Sequence, residues 1–384
     1  MAKSQHKTGI FFFDNPHHIY HAASIAFELA KIPNQDVAIY CSTNINYETS
    51  VSLAKRYLGE NFLTDFPRLS IELVLPSLFY RITRYFKKRS FPGRASVFNR
   101  HQDKFLSCDT LVSPSDEILK LKKKAKFSGK SFVFTNHGAG DGEYGLSKWI
   151  DEFDLVFVSG HVIKTRLEKR GIGTSGENEK LKEIGYPKFD LCLNNFIRPS
   201  FFNNTKPIVL YNPHFKKEFS SWFHWGHSII DYFSSSSDFN LIVAPHITLA
   251  NKEKEKIKRY SAGKENIHVD VDINSSKLVD MTYTLSADIY LGDISSQVYE
   301  FLANEKPCLF LNPNNFQWKG DPNFQCWNYG DVLENFENFD ELISSSIDRH
   351  SSYLNIQKSA FEKRFYKSTK NSSQLAAELL VKLG

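Results

Sequence analysis

Ala287-Asp288-Ile289-Tyr290-Leu291-Gly292-Asp293-Ile294-Ser295-Ser296-Gln297-Val298-Tyr299-Glu300-Phe301-Leu302 reads as an apolar strand, a Gly-Asp turn, two serines and a helical pattern. Ser295 and Ser296 then fall at a helix N-terminus, where unpaired backbone N–H groups, the positive end of the helix dipole and two small hydroxyls converge. That combination holds phosphate. Glu300 lies one helical turn further in, placed to accept both hydroxyls of a ribose. A plainer reading stands beside this one: Asp293 or Ser295 simply caps the helix, and Glu300 is a solvated helix residue.

Outward from this stretch, short apolar runs alternate with amphipathic segments along the whole chain, the signature of β-α units around parallel sheets. The fold class is α/β. In the first half, strands are expected at Gly9–Phe13, Val37–Cys41, Ser70–Leu75, Thr110–Val112, Ser131–Thr135 and Leu155–Val158. A helix is expected over His18–Lys31 with Ile19, Ala22, Ala23, Phe27 and Ala30 on its inner face. A second set of strands is expected at Pro207–Tyr211, Phe239–Val243, Ile267–Val271, Ile289–Leu291 and Cys308–Leu311. Between the sets, Leu193 to Thr205 carries two Asn pairs and a Pro. The expected division is therefore a Rossmann-like acceptor domain over 1–195, a linker over 196–206 and a nucleotide-donor domain over 207–366. A final helix within 367–384 crosses back to the first domain. Two such domains facing each other across a cleft describe GT-B, although a periplasmic-binding-protein arrangement gives a similar pattern.

Composition excludes several classes. At 384 residues with 41% hydrophobic and 24% charged, the chain is neither disordered nor collagenous. Its 48 Lys and Arg against 43 Asp and Glu leave only +5, too little to argue for a nucleic-acid partner. The five cysteines are scattered and never two apart, so neither a disulfide framework nor a thiolate zinc site is expected. No run approaches the roughly 18 apolar residues of a membrane span, and the start lacks an apolar signal core. A cytoplasmic protein is expected.

Other segments also carry chemistry. Phe132-Val133-Phe134-Thr135-Asn136-His137 is a strand running into a loop that holds Gly138, Gly140, Asp141, Gly142, Glu143 and Gly145. A histidine at such a strand end lies where open α/β sheets place ligands, and its ordinary pKa suits a general base; a loop histidine bonded to a carbonyl fits the same pattern. Leu241-Ile242-Val243-Ala244-Pro245-His246 repeats the motif in the second half, and Tyr211-Asn212-Pro213-His214 does so more weakly, since His214 also fits a turn. His17, His18 and His21 cluster, but no carboxylate or cysteine completes a ligand set, so no metal is expected. Asn15-Pro16-His17-His18 is read as a strand-end loop lining the cleft. Finally, Leu78 to Arg94 interleaves aromatics with six basic residues. Phe79, Arg81, Arg84, Tyr85, Lys87, Lys88 and Arg89 suit an anionic membrane surface, or equally a half-buried helix with a basic solvent face.

In order, these segments resemble the CDP-glycerol glycerophosphotransferase family, GT-B enzymes that build teichoic-acid-type chains. Thr135-Asn136-His137-Gly138 resembles the family's Thr-Trp-His-Gly, and Gly185-Tyr186-Pro187-Lys188-Phe189-Asp190 its Gly-Tyr-Pro-Arg-x-Asp. Ile208 to Pro213 resembles the start of its nucleotide domain, and Ala244-Pro245-His246 its Arg-Pro-His. Asp293-Ile294-Ser295-Ser296, then Glu300 and Lys306-Pro307, is similar to its Asp-Tyr-Ser-Ser helix and following strand. The departures are Asn136 for Trp, Ala244 for Arg, Asn212-Pro213-His214 for Ala-Pro-Thr, and an unmatched Gly140-Asp141-Gly142-Glu143. The Asp-x-Ser-Ser-x-x-x-Glu spacing is also similar to that of the non-hydrolysing UDP-N-acetylglucosamine 2-epimerases.

The resemblance implies a transferase with His137, His246 and Asp293 in catalysis. It implies that Ser295, Ser296 and Glu300 contact a CDP- or UDP-linked donor. From their strand-end and loop positions, Pro245, Gly292 and His214 are read as further donor contacts, and His17, His18, Gly138, Asp141 and Glu143 as contacts to a saccharide or lipid-linked acceptor. No cofactor or metal is implied. Replacing the Arg by Ala244 removes a bidentate phosphate clamp. Sugar transfer, epimerisation and a non-catalytic nucleotide-binding module therefore remain as alternatives to glycerol phosphate transfer.

Overall fold

The computed structural model describes residues 6–13, 16–78, 94–141, 147–174, 179–194 and 196–383. Glu143 and the segment containing Phe79, Arg81, Arg84, Tyr85, Lys87, Lys88 and Arg89 lie outside the described residues. The chain forms two compact units: unit one is Met1–His137, Leu146–Asn194 and Lys363–Gly384, and unit two is Gly138–Gly145 and Asn195–Glu362.

Unit one is built on a seven-stranded parallel sheet. Its strands are β1 (His6–Phe12), β2 (Gln35–Cys41), β3 (Leu69–Leu73), β4 (Thr110–Ser113), β5 (Ser131–Thr135), β6 (Leu155–Val158) and β7 (Leu181–Glu183), in the order β3-β2-β1-β4-β5-β6-β7. The central strands are buried on both faces, as parallel strands sandwiched by helices must be, which is why they read as continuous apolar runs. Phe11, Tyr40, Phe105, Phe132 and Phe134 fill one face. The helix expected over His18–Lys31 is two helices, His17–Tyr20 and Ala23–Ala30, because Ala22 leaves helical geometry at φ −143° and ψ −16°.

The last helix, Ser372–Leu383, packs on Ala23–Ala30 within unit one. Buried Asp190 holds its start, accepting from the Ser373 N–H at 2.7 Å and the Ser373 hydroxyl at 2.6 Å. Gly185, at φ +87°, lies where a Cβ would stand 2.8 Å from the Tyr366 carbonyl oxygen. The Gly-Tyr-Pro-x-x-Asp segment thus serves as a dock for the C-terminal chain.

Unit two has a six-stranded parallel sheet of β8 (Ile208–Asn212), β9 (Asn240–Val243), β10 (Ile267–Val269), β11 (Ile289–Gly292), β12 (Cys308–Leu311) and β13 (Asp331–Leu333). Their order is β10-β9-β8-β11-β12-β13. β7 and β13 went unforeseen because each has only three residues and includes a charged one, so neither shows an apolar run. In unit one the strand order reverses between β1 and β4, and in unit two between β8 and β11. Open α/β sheets leave a crevice beyond the strand C-termini at such reversals. Among the described residues, no helix is long and apolar enough to cross a membrane.

Candidate active site

In unit two, three neighbouring strands deliver the candidate donor residues from their C-terminal ends: β9 leads to Pro245 and His246, β8 to His214, and β11 through Gly292 to Asp293. Asn212 ties these ends together. Its Nδ2 donates to the Ala244 carbonyl at 2.7 Å, and its Oδ1 accepts from the Tyr290 hydroxyl at 3.1 Å. Glycine is required at 292, since a Cβ there would stand 2.8 Å from the Asn212 carbonyl oxygen.

Asp293 is fully buried and organises the His214 loop. Its Oδ2 accepts from the backbone N–H groups of His214 at 2.8 Å and Ser221 at 2.9 Å. Burial pushes its pKa up to about 7 against the pull of those bonds. Its Oδ1 has no hydrogen-bond partner among the described residues.

The two histidines share one arrangement. His214 Nδ1 accepts from the Lys216 N–H at 3.1 Å, and His246 Nδ1 accepts from the Thr248 N–H at 3.1 Å, capping the helix Ile247–Ser261. A neutral ring with Nδ1 accepting carries its proton on Nε2. Burial lowers both pKa values to about 4, with the neighbouring His214 adding to the effect on His246. Phe215 lies beside both rings, with centroids 4.6 Å from His214 and 4.5 Å from His246. Neither Phe215 nor Ser221 gave a signal in the sequence, because no motif marks them.

After Asp293 the chain enters a short helix, Gln297–Phe301. Ser295 Oγ accepts from the Gln297 N–H at 3.2 Å, whereas Ser296 is exposed and Glu300 is buried. The Gly138–Gly145 segment belongs to this unit. A Cβ on Gly140 would stand 3.2 Å from the Ser296 Cβ, so a side chain there would press on Ser296. Asp141 is buried, accepting from the Tyr299 hydroxyl at 2.6 Å and from the Cys326 N–H at 2.9 Å.

In unit one, His17 and His18 follow β1, and His137 follows β5. The His18 and His137 ring centroids are 4.5 Å apart, and those of His17 and His18 4.3 Å. Burial lowers the His137 pKa, opposed by a hydrogen bond to the Pro114 backbone and by Glu117.

A family model described as CDP-glycerol:poly(glycerophosphate) glycerophosphotransferase matches residues 150–382, more than half of the chain. The chain belongs to this glycerophosphotransferase family. The matched span contains His214, His246, Asp293, Ser295, Ser296 and Glu300, and begins after the His137 loop. No curated protein matches the chain. Among solved structures, the wall teichoic acid polymerase TagF is similar at 14% identity and TM-score 0.61, over 99% of this chain and 89% of that one. An S. aureus MnaA–UDP co-structure is similar at 13% identity and TM-score 0.61, over 98% of this chain and 95% of that one. A TagF variant soaked with CDPG is similar at 15% identity and TM-score 0.60, over 99% of this chain and 89% of that one. At such identities the likeness shows the fold, which is GT-B, and family membership makes the glycerophosphotransferase a transferase.

Proposed function

We propose that this glycerophosphotransferase moves glycerol phosphate from CDP-glycerol to a hydroxyl of a cell-surface polysaccharide or lipid-linked acceptor. The acceptor oxygen attacks the phosphorus that carries glycerol, a new P–O bond forms, and the bond to the CMP oxygen breaks. His137 takes the hydroxyl proton. The observation that carries the reading is the pair of neutral imidazoles in unit two. Both have Nδ1 filled by backbone, so both offer Nε2–H to an anion at the strand-order reversal of the family-matched span.

His214 and His246 thus stand where the family's bidentate arginine is replaced by Ala244, supplying donors without a permanent charge. Ser295, Ser296, Pro245 and Gly292 complete the phosphate contacts, and Glu300 receives the ribose hydroxyls. Asp293 positions the His214 loop. The acceptor falls to His17 and His18 in unit one; in unit two, Asp141, held by Tyr299 and Cys326, anchors the loop that carries Gly138. The basic aromatic segment from Phe79 to Arg89 recruits the enzyme to an anionic membrane face, which liposome co-sedimentation with and without charge-reversing substitutions tests.

The deciding experiment for the donor is thermal-shift titration against CDP, CMP, UDP, GDP, CDP-glycerol and common nucleotide sugars, repeated with Ser295→Ala and Ser296→Ala. Selective stabilisation by cytidine compounds that weakens in both variants is expected. Stabilisation by UDP-sugars alone moves the reaction to sugar chemistry, and conversion of a UDP-sugar without acceptor reveals an epimerase.

A further inference from the structure

The histidines of unit one invite a ligand of their own. One ring nitrogen from each of His17, His18 and His137 lies within 4.8 Å of the other two, and among the described residues no carboxylate or thiolate joins the group. His137 Nδ1 is buried and has no hydrogen-bond partner among the described residues. The sequence conceals this set, because the third member lies more than a hundred residues from the first two and meets them only through the β1-β4-β5 neighbourhood.

We propose that His17, His18 and His137 form a binding site for a divalent transition-metal ion of the zinc class, with one coordination position left open. Imidazole nitrogens suit zinc, copper, nickel and iron, whereas magnesium and calcium demand oxygen ligands that this group lacks. Zinc–imidazole bonds of about 2.0–2.1 Å put neighbouring ligand nitrogens about 3.4 Å apart in a tetrahedron. The present 4.8 Å span therefore needs to close by roughly 1.4 Å, within reach of ring and side-chain rotation. Three protein ligands with an open position is the arrangement in which zinc takes water or a substrate oxygen. Occupancy engages His137, the group used above to accept the acceptor's proton, so zinc slows transfer. That consequence rests on the proposed function; the binding does not.

The test uses tag-free full-length protein, stripped with EDTA and titrated with Co²⁺ while the visible d–d absorption is recorded, then with Zn²⁺. One equivalent of four-coordinate cobalt, displaced by zinc, is expected. His17→Ala and His18→Ala each weaken binding at least about tenfold. His161→Ala, at an exposed position on another helix, leaves it unchanged. Unaltered thermal unfolding and cytidine-nucleotide binding show that the variants are folded. Absence of a four-coordinate spectrum in the wild-type protein, or unchanged affinity in folded His17→Ala and His18→Ala, overturns the site. Zinc that binds as expected without slowing CMP release from CDP-glycerol leaves the site standing and overturns His137 as the proton acceptor.

Discussion

The histidines of unit one and those of unit two are the same residue type in opposite hydrogen-bonding surroundings. In unit two, His214 and His246 each spend Nδ1 on a backbone N–H two residues ahead, which fixes the tautomer and leaves a donor at Nε2. In unit one, His137 keeps Nδ1 without a partner among the described residues, with the rings of His17 and His18 beside it. A ring with its acceptor nitrogen occupied can donate a hydrogen bond from Nε2–H to a phosphate oxygen. A ring with that nitrogen available takes a proton, or binds a metal. Under the proposed function, the local backbone distinguishes the two groups more than residue type does.

The largest effect that sharpens this contrast is on turnover. His137→Ala lowers the rate of CMP release from CDP-glycerol by about 10²–10⁴-fold, the range of general-base catalysis, while CDP-glycerol affinity stays within about twofold. Equal loss of affinity would merge the two histidine groups into one donor site and break the comparison. His246→Ala is expected to reverse the pattern, weakening CDP-glycerol binding by about tenfold or more through loss of one hydrogen bond to a charged oxygen.

Next in size is a proton effect. An anion against Nε2–H of His214 and His246 raises pKa values that stand at about 4 in the free protein, so donor binding takes up protons below neutrality. Calorimetry of CDP-glycerol in buffers of different ionisation enthalpy should show net uptake at pH 6, and affinity that weakens as pH rises. His214→Gln combined with His246→Gln should remove the uptake.

The smallest expected effect is on stability against pH. Both histidines have folded pKa values below the ordinary 6.5, so the unfolded chain binds more protons and stability is lost as pH falls from about 6.5 to about 4. Asp293 acts in the other sense. Its folded value of about 7 exceeds the ordinary 3.8, so the native state keeps a proton that the unfolded state gives up, and stability falls as pH rises from about 4 to about 7. Asp293→Asn removes this opposing contribution, and the melting temperature should then climb more steeply between pH 4 and 7 than in the wild-type protein.

Much of the architecture was legible because buried parallel strands must be apolar along their whole length. The expected bounds Ser131–Thr135 and Cys308–Leu311 match β5 and β12 to the residue. β7 and β13, short and partly charged, carry no such imprint. Within the candidate site, strand-end positions such as His137, His246 and Asp293 stood out because a strand running directly into a polar residue is visible locally. The surroundings of Asp141 did not, since its bonds to Tyr299 and Cys326 join residues 158 and 185 positions away. The grouping of His137 with His17 and His18 was hidden for the same reason, being a product of strand order.

The central claim, that the strand-end histidines of unit two hold a cytidine-linked glycerol phosphate donor, is tested most directly by calorimetric titration of CDP-glycerol into the wild-type protein and His246→Ala. UDP-N-acetylglucosamine serves as the competing ligand. Saturable binding of CDP-glycerol in preference to the UDP-sugar, weakened at least about tenfold in the variant, is expected. Preference for the UDP-sugar, or CDP-glycerol binding that the variant leaves unchanged, would contradict that claim.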